Sequence, residues 1–206
     1  MRIDVVNATI SFSGRIVFSG LDASAPAGRI TAVVGPSGSG KTSLLSAMAG
    51  YRQLDQGEIR FVTGNHHTPP AAEHVVWIPQ GSNALPARTA LDNAMLGAQA
   101  RGETLEIAAD HAREALAQVG LLERADSLAR QLSGGELQRL SFARALAASR
   151  SVVFADEPTA SLDLVNIRII AGLLRELSGK ATIVVATHDP LLIDAADHVI
   201  DLRKIA

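Results

Sequence analysis

The chain has 206 residues, 47% of them hydrophobic, a formal net charge of −2 and no cysteine. That length and apolar content suffice for one well-filled domain, or a domain with a subdomain. The near-neutral charge gives no bulk electrostatic case for nucleic acid or anionic lipid, and the missing cysteines exclude disulfides and thiolate metal sites. No run reaches the roughly 18–20 uninterrupted apolar residues that cross a bilayer. Met1-Arg2-Ile3-Asp4-Val5-Val6 lacks an apolar signal core and reads as a first strand.

Residues 1–30 read as short strands over 3–10, 16–18 and 21–25, punctuated by Gly14, Gly20 and Pro26-Ala27-Gly28. They predict an antiparallel β-region. Phe12, between Ser11 and Ser13, falls in an exposed turn where its ring can stack on an adenine; packing into the β-layer is the alternative. Arg29-Ile30-Thr31-Ala32-Val33-Val34 then forms a buried strand, followed by Gly35-Pro36-Ser37-Gly38-Ser39-Gly40-Lys41-Thr42 and a helix opening at Ser43. G-x-x-x-x-G-K-[ST] between strand and helix is a phosphate-binding loop. Its glycines let successive N–H groups turn inward toward phosphate oxygens, and the helix start adds its positive dipole end. Lys41 supplies a point charge to the β- and γ-phosphates, and the Thr42 hydroxyl is a Mg²⁺ ligand. Gly35 through Ser43 are therefore candidate nucleotide-binding residues.

A strand over 58–63 leads to a segment, 64–74, with two prolines and three histidines (His66, His67, His74), read as a solvated loop in preference to a metal site. Residues 75–79 form another strand, ending at Gln80. Helical spacing over 90–101, 105–119 and 137–148 predicts a helical block inserted between core strands. Strands at 151–155, 182–186 and 199–202 alternate with helices at 167–177 and 191–195. That alternation predicts an α/β fold with a mostly parallel sheet and helices on both faces.

Val152-Val153-Phe154-Ala155-Asp156-Glu157 is an apolar strand ending in two carboxylates. A buried parallel strand delivers its C-terminal end to the ligand crevice. Asp156 there holds Mg²⁺ opposite Thr42, while strand alternation turns Glu157 elsewhere, where it can deprotonate an attacking water. The alternative, an acidic strand end in a solvated loop, is disfavoured by the phosphate loop upstream. In Leu132-Ser133-Gly134-Gly135-Glu136-Leu137-Gln138-Arg139, Ser133 is a natural N-cap and Glu136 completes a capping box. Gly134 and Gly135 expose N–H groups at a second helix start. Two phosphate-binding helix starts exceed what one domain needs for one nucleotide; two subunits that sandwich ATP use both.

These stretches resemble the nucleotide-binding subunit of ATP-binding cassette (ABC) transporters over essentially the whole chain, a single domain with core 1–80 and 149–206 and helical subdomain 81–148. Residues 35–42 resemble that family's Walker A loop, 152–156 its Walker B strand and 132–138 its signature motif. Ser161-Leu162-Asp163 is similar to its D-loop, and Gln80, His188 and Phe12 to its Q-loop glutamine, switch histidine and adenine-stacking aromatic. The resemblance implies a P-loop ATPase that binds ATP and Mg²⁺, with Thr42, Gln80 and Asp156 around the metal. Glu157 would be the general base, and Lys41, Gln80 and His188 would complete the catalytic set. Ser133, Gly134, Gly135, Glu136 and Asp163 of a second subunit would close the site. Implied partners are an integral membrane permease on a separate chain and a second nucleotide-binding subunit, more readily a copy of this chain than a different one, with no nucleic acid. The expected location is cytoplasmic, peripheral on the inner face of the membrane.

Departures from the family pattern are Glu136 where glutamine is usual, a short irregular 64–72, and no proline in Leu128-Ala129-Arg130-Gln131. DNA-repair or chromosome heads would need a coiled-coil insertion between Lys41 and Ser133, and ribosome-acting members usually carry a second cassette. A P-loop kinase leaves the signature unexplained. The chain stops just after its last strand, so no C-terminal regulatory domain is expected. The short form leans toward the lipoprotein-releasing and macrolide-exporter group.

Overall fold

The computed structural model describes residues 1–204. In chain order the elements are β1 (Arg2–Phe12), β2 (Arg15–Ala25), β3 (Ile30–Val34), α1 (Lys41–Met48), β4 (Gln56–Thr63), β5 (His66–Thr68), β6 (Val75–Ile78) and α2 (Ala90–Gln99). They continue with α3 (Leu105–Gln118), α4 (Gly134–Ala148), β7 (Val152–Asp156), α5 (Leu164–Leu177), β8 (Thr182–Ala186), α6 (Pro190–Asp194) and β9 (His198–Asp201).

Two sheets result. One is antiparallel, in the order β2-β1-β4-β5, and the other has the order β6-β7-β8-β3-β9 with every neighbouring pair parallel. Strands β3, β7 and β8 are buried at every position, which is why they read as unbroken apolar runs instead of alternating ones. Their alternating side chains still serve two different cores. Val152, Phe154 and Val184 join α1 and the antiparallel sheet, whereas Val153, Ala155, Ile183 and Val185 join the apolar faces of α2 to α6.

The structure departs from the sequence reading in several places. Residues 15–25 are one strand, because Gly20, at φ 67°, is absorbed with register shifts in its pairing to β1 and does not end it. The 64–74 segment holds β5 and a 3₁₀ turn over Ala72–His74, with His66 and His67 paired to Thr63 and Val62 of β4. Helix α4 starts at Gly134 because Ser133 caps it there, and α5 starts at Leu164 because Asp163 does the same. Phe12 is the last residue of β1, opposite Arg15, so the turn lies at Ser13-Gly14 beyond it.

Candidate functional site

The crevice forms where β3 and β7 end beside the start of α1. It is a cleft of about 750 Å³ lined by the phosphate loop with Phe12, Val17, Gln80, Glu157 and His188. Gly40 caps α1 at φ 94°, and a Cβ there would stand 2.5 Å from Val17 Cγ1, so both backbone angle and space demand glycine. The Thr42 hydroxyl donates to Asp156 Oδ1 at 3.0 Å, joining the first turn of α1 to the end of β7. Asp156 is 8% exposed. Burial pushes its carboxyl above the usual aspartate range, the Thr42 hydrogen bond opposes that, and neighbouring Glu157 adds to it.

Lys41 lies under the loop, its Nζ donating to the Gly35 carbonyl at 3.0 Å and to the Pro36 carbonyl at 3.4 Å. The same ammonium stands 3.4 Å from Glu157 Oε1, and Glu157 Oε2 is 2.9 Å from His188 Nδ1. Lys41, Glu157 and His188 thus form one chain of contacts across the cleft. Strand alternation would have carried Glu157 away from Lys41. Instead β7 ends at Asp156, and Glu157 takes φ 44°, with its N–H donating to the Ala186 carbonyl at 2.8 Å. That left-handed residue turns the carboxylate back into the crevice, which periodicity does not foresee.

Phe12 is half exposed, and the Arg52 guanidinium lies 3.7 Å from its ring centroid while donating to the Ser11 carbonyl at 2.9 Å. The Ser11 N–H and hydroxyl in turn donate to Asp55. Arg52 was not legible as a site residue, since nothing in its spacing marks it.

The second phosphate element stands apart from this cleft. Ser133 Oγ accepts from the Glu136 N–H at 3.3 Å, and Glu136 Oε2 accepts from the Ser133 N–H at 2.8 Å. The box drawn from sequence is therefore present, and that backbone hydrogen bond holds the Glu136 carboxyl below the usual range. A Cβ on Gly135 would meet the Asn166 side chain at 2.5 Å. Asn166 also donates through Nδ2 at 3.0 Å and through its backbone N–H at 2.8 Å to Asp163 Oδ1. Asp163 and Gly135 thus flank one asparagine, and neither lines the Lys41 cleft.

Mg²⁺ fits the Thr42–Asp156 pair. A hydroxyl and a buried carboxylate with raised proton affinity offer oxygen donors and an unmet negative charge to a hard cation. Gln80 lines the same cleft. Among the described residues no group of three or more His, Asp or Glu is placed to hold a metal by itself, which leaves most of the coordination to phosphate and water.

A family model described as ABC transporter matches residues 18–160. The chain is 37% identical over 192 residues to an uncharacterized ABC transporter ATP-binding protein of Mycobacterium tuberculosis, covering 89% of this chain and 58% of that protein. It therefore spans little more than half the length of that relative. It is 37% identical over 203 residues to the Escherichia coli L-cystine transport system ATP-binding protein TcyN, covering 91% of this chain and 80% of the relative. With the lipoprotein-releasing system ATP-binding protein LolD of Anaeromyxobacter dehalogenans it shares 36% identity over 196 residues, 90% and 82% of the two chains. Among solved structures, a dimeric ATP-binding cassette in a post-hydrolysis state bound to ADP and Pi superposes with a TM-score of 0.83. It is 27% identical and is matched over 97% of this chain and 93% of that one.

Proposed function

The chain belongs to the ABC transporter family of ATPases, and from that premise we propose that it binds and hydrolyses ATP between two cassettes and so drives a permease on a separate chain. The observation that carries this reading is the separation of its two phosphate-facing elements. The Lys41 cleft is lined by Thr42, Gln80, Glu157 and His188, with Asp156 behind Thr42, while Ser133, Gly134 and Gly135 do not line it. One copy therefore cannot close its signature over its own nucleotide. Two copies related by a twofold axis build two complete sites, each from the cleft of one and the signature of the other.

In such a site, phosphate oxygens replace the Gly35 and Pro36 carbonyls as partners of Lys41. Losing Lys41 frees Glu157 to accept a proton from the attacking water, with His188 2.9 Å away to orient it. The water oxygen bonds to the γ-phosphorus, the bond to the bridging β-phosphate oxygen breaks, and Glu157 holds the proton. Mg²⁺ supplies charge neutralisation for the β- and γ-phosphates. Thr42 and Asp156 would hold it and Gln80 would line its approach, while Phe12 would offer its free face to the adenine and Asp163 would border the partner's site. No helix among the described residues is long and apolar enough to cross a membrane. The proposed permease would dock near the segment after Gln80, where Leu85 and Leu96 are exposed, placing the chain at the inner membrane face. Relatives named for L-cystine transport and for lipoprotein release are equally similar, which supports specificity residing in the permease.

The test is Glu157→Gln protein with Mg-ATP, followed by sedimentation. The expected result is a stable dimer that retains uncleaved ATP; a protein that stays monomeric at saturating nucleotide sinks the sandwich reading.

A further inference from the structure

Arg144 lies in α4, ten residues after Gly134 and thus about 15 Å along the helix axis from its start. It is partly buried, and among the described residues no carboxylate pairs with it. Its hydrogen bonds go to the segment that follows Gln80 and to the first turns of α2. Nε donates to the Asn93 carbonyl at 3.0 Å and Nη2 to Asn93 Oδ1 at 2.7 Å. Nη1 donates to the Asn83 carbonyl at 3.2 Å and to Asn83 Oδ1 at 3.0 Å.

Asn93 is fully buried and extends the same network. Its Oδ1 also accepts from the Leu85 N–H at 2.7 Å, and its Nδ2 donates to the carbonyls of Leu85 at 3.1 Å and Thr89 at 2.8 Å. The loop from Asn83 to Thr89 is thereby held at several backbone points by one asparagine and one guanidinium. One turn further along α2, a Cβ on Gly97 would overlap the Arg144 carbonyl and stand 2.8 Å from the Ala148 N, so the two helices cross in backbone contact. Asn93 is the inner anchor of this unit: losing the Arg144 or Leu85 partner leaves its buried amide short of a hydrogen bond, so the loop and the two helices resist sliding past one another.

We propose that Arg144 is a positioning residue that ties the Asn83–Thr89 loop to the helix bearing Ser133–Gly135, so that a displacement of the loop just after Gln80 carries the signature with it and sets how it is presented to a second copy. The inference rests on the sandwich reading above. Its physical basis is the planar guanidinium, which spans Asn83 and Asn93 simultaneously; a single ammonium cannot reproduce that geometry.

The experiment uses the Glu157→Gln protein as parent and compares it with the same protein carrying Arg144→Met, Arg144→Lys or Asn83→Ala. Affinity for a fluorescent ATP analogue reports the cleft of the monomer, and sedimentation against Mg-ATP concentration reports dimer formation. The expected result for Arg144→Met is nucleotide affinity within about twofold of the parent, and dimerisation weaker by about tenfold or more. Arg144→Lys fails to rescue, and Asn83→Ala falls between parent and Met variant. A folded Arg144→Met protein that dimerises like its parent overturns the proposal, as does a parallel loss of nucleotide affinity. Should Arg144→Met not fold, Asn83→Ala decides, because it removes only the loop end of the clamp and unchanged dimerisation there is fatal. A parent that stays monomeric overturns the sandwich reading and this inference together, whereas the other adverse outcomes overturn the clamp alone.

Discussion

The Lys41 cleft and the Ser133 helix start are the two elements we propose face phosphate, yet their internal chemistry differs sharply. In the cleft Lys41 is answered by two carbonyls and Glu157, and Glu157 by His188, while Asp156 has only the Thr42 hydroxyl and keeps its charge unmet. At the signature the capping box spends its side chains on its own backbone, and Gly134 has no neighbour within 4 Å of where a Cβ would lie. The first site stores strong charges that a nucleotide must rearrange. The second presents pre-set N–H groups whose value appears only when something docks on them. Under the proposed sandwich, such an arrangement would keep hydrolysis low until a second copy supplies the other half of the site.

The largest expected effect breaks the first site. Glu157→Gln should lower ATP turnover about 10³-fold, the range of a lost general base, measured as phosphate release with nucleotide affinity retained. Turnover near the wild-type rate would remove Glu157 from the chemistry and the contrast with it. Next is Gly135→Ala, which forces a methyl into the Asn166 amide and should cost about 1–3 kcal/mol in urea unfolding. Asn166→Ala in the same chain should restore most of that loss; if it does not, the crowding reads wrongly.

Asp156→Asn should act in the opposite direction on stability. Because burial raises the Asp156 pKa, the folded state holds that proton more tightly than the unfolded chain, so its stability falls as pH rises above the ordinary aspartate value of 3.8. Neutral Asn removes this penalty, and the nucleotide-free variant should melt about 2–4 °C higher at pH 7, as expected for ~1 kcal/mol in a chain of this size, while losing Mg²⁺-dependent turnover. A lower melting temperature would show that Asp156 is already fully stabilised by Thr42.

Glu136→Gln carries the smallest expected change and probes the second site. The Glu136 pKa is lowered by the Ser133 N–H, so its contribution is present above the unfolded value of 4.5 and disappears as pH falls through the folded one. Wild type should exceed the variant by less than about 1 kcal/mol at pH 7 and by nothing below that window. A difference that persists at low pH would mean the box depends on shape and not on charge.

Particular residues show where sequence reading stops. The phosphate loop, the Asp156 strand end and the Ser133–Glu136 box were legible because each is a local pattern: a spacing, an apolar run, a cap three residues from its partner. Glu157 reaches the cleft by a route the sequence did not show, since a single left-handed residue overrode strand alternation. Arg52 beneath Phe12, Asn166 above Gly135 and the Arg144–Asn93 clamp were missed. Asn93 alone left a faint signal, a polar residue on a helix face otherwise shared by Ala90, Ala94 and Ala98.

By itself, then, the amino-acid order determined the α/β class, most of the order of elements (β5 and the unbroken β2 excepted) and the phosphate-loop and capping-box patterns, since these depend on periodicity and on neighbours within a turn or two. Tertiary structure alone decided that the two phosphate elements lie apart. It also decided that Lys41, Glu157 and His188 touch, and that the loop after Gln80 is bound to the signature helix. Those contacts join residues as far apart as 41 and 157, or 93 and 144, and only the packing of α1 and α4 against opposite faces of one sheet brings them together or keeps them apart.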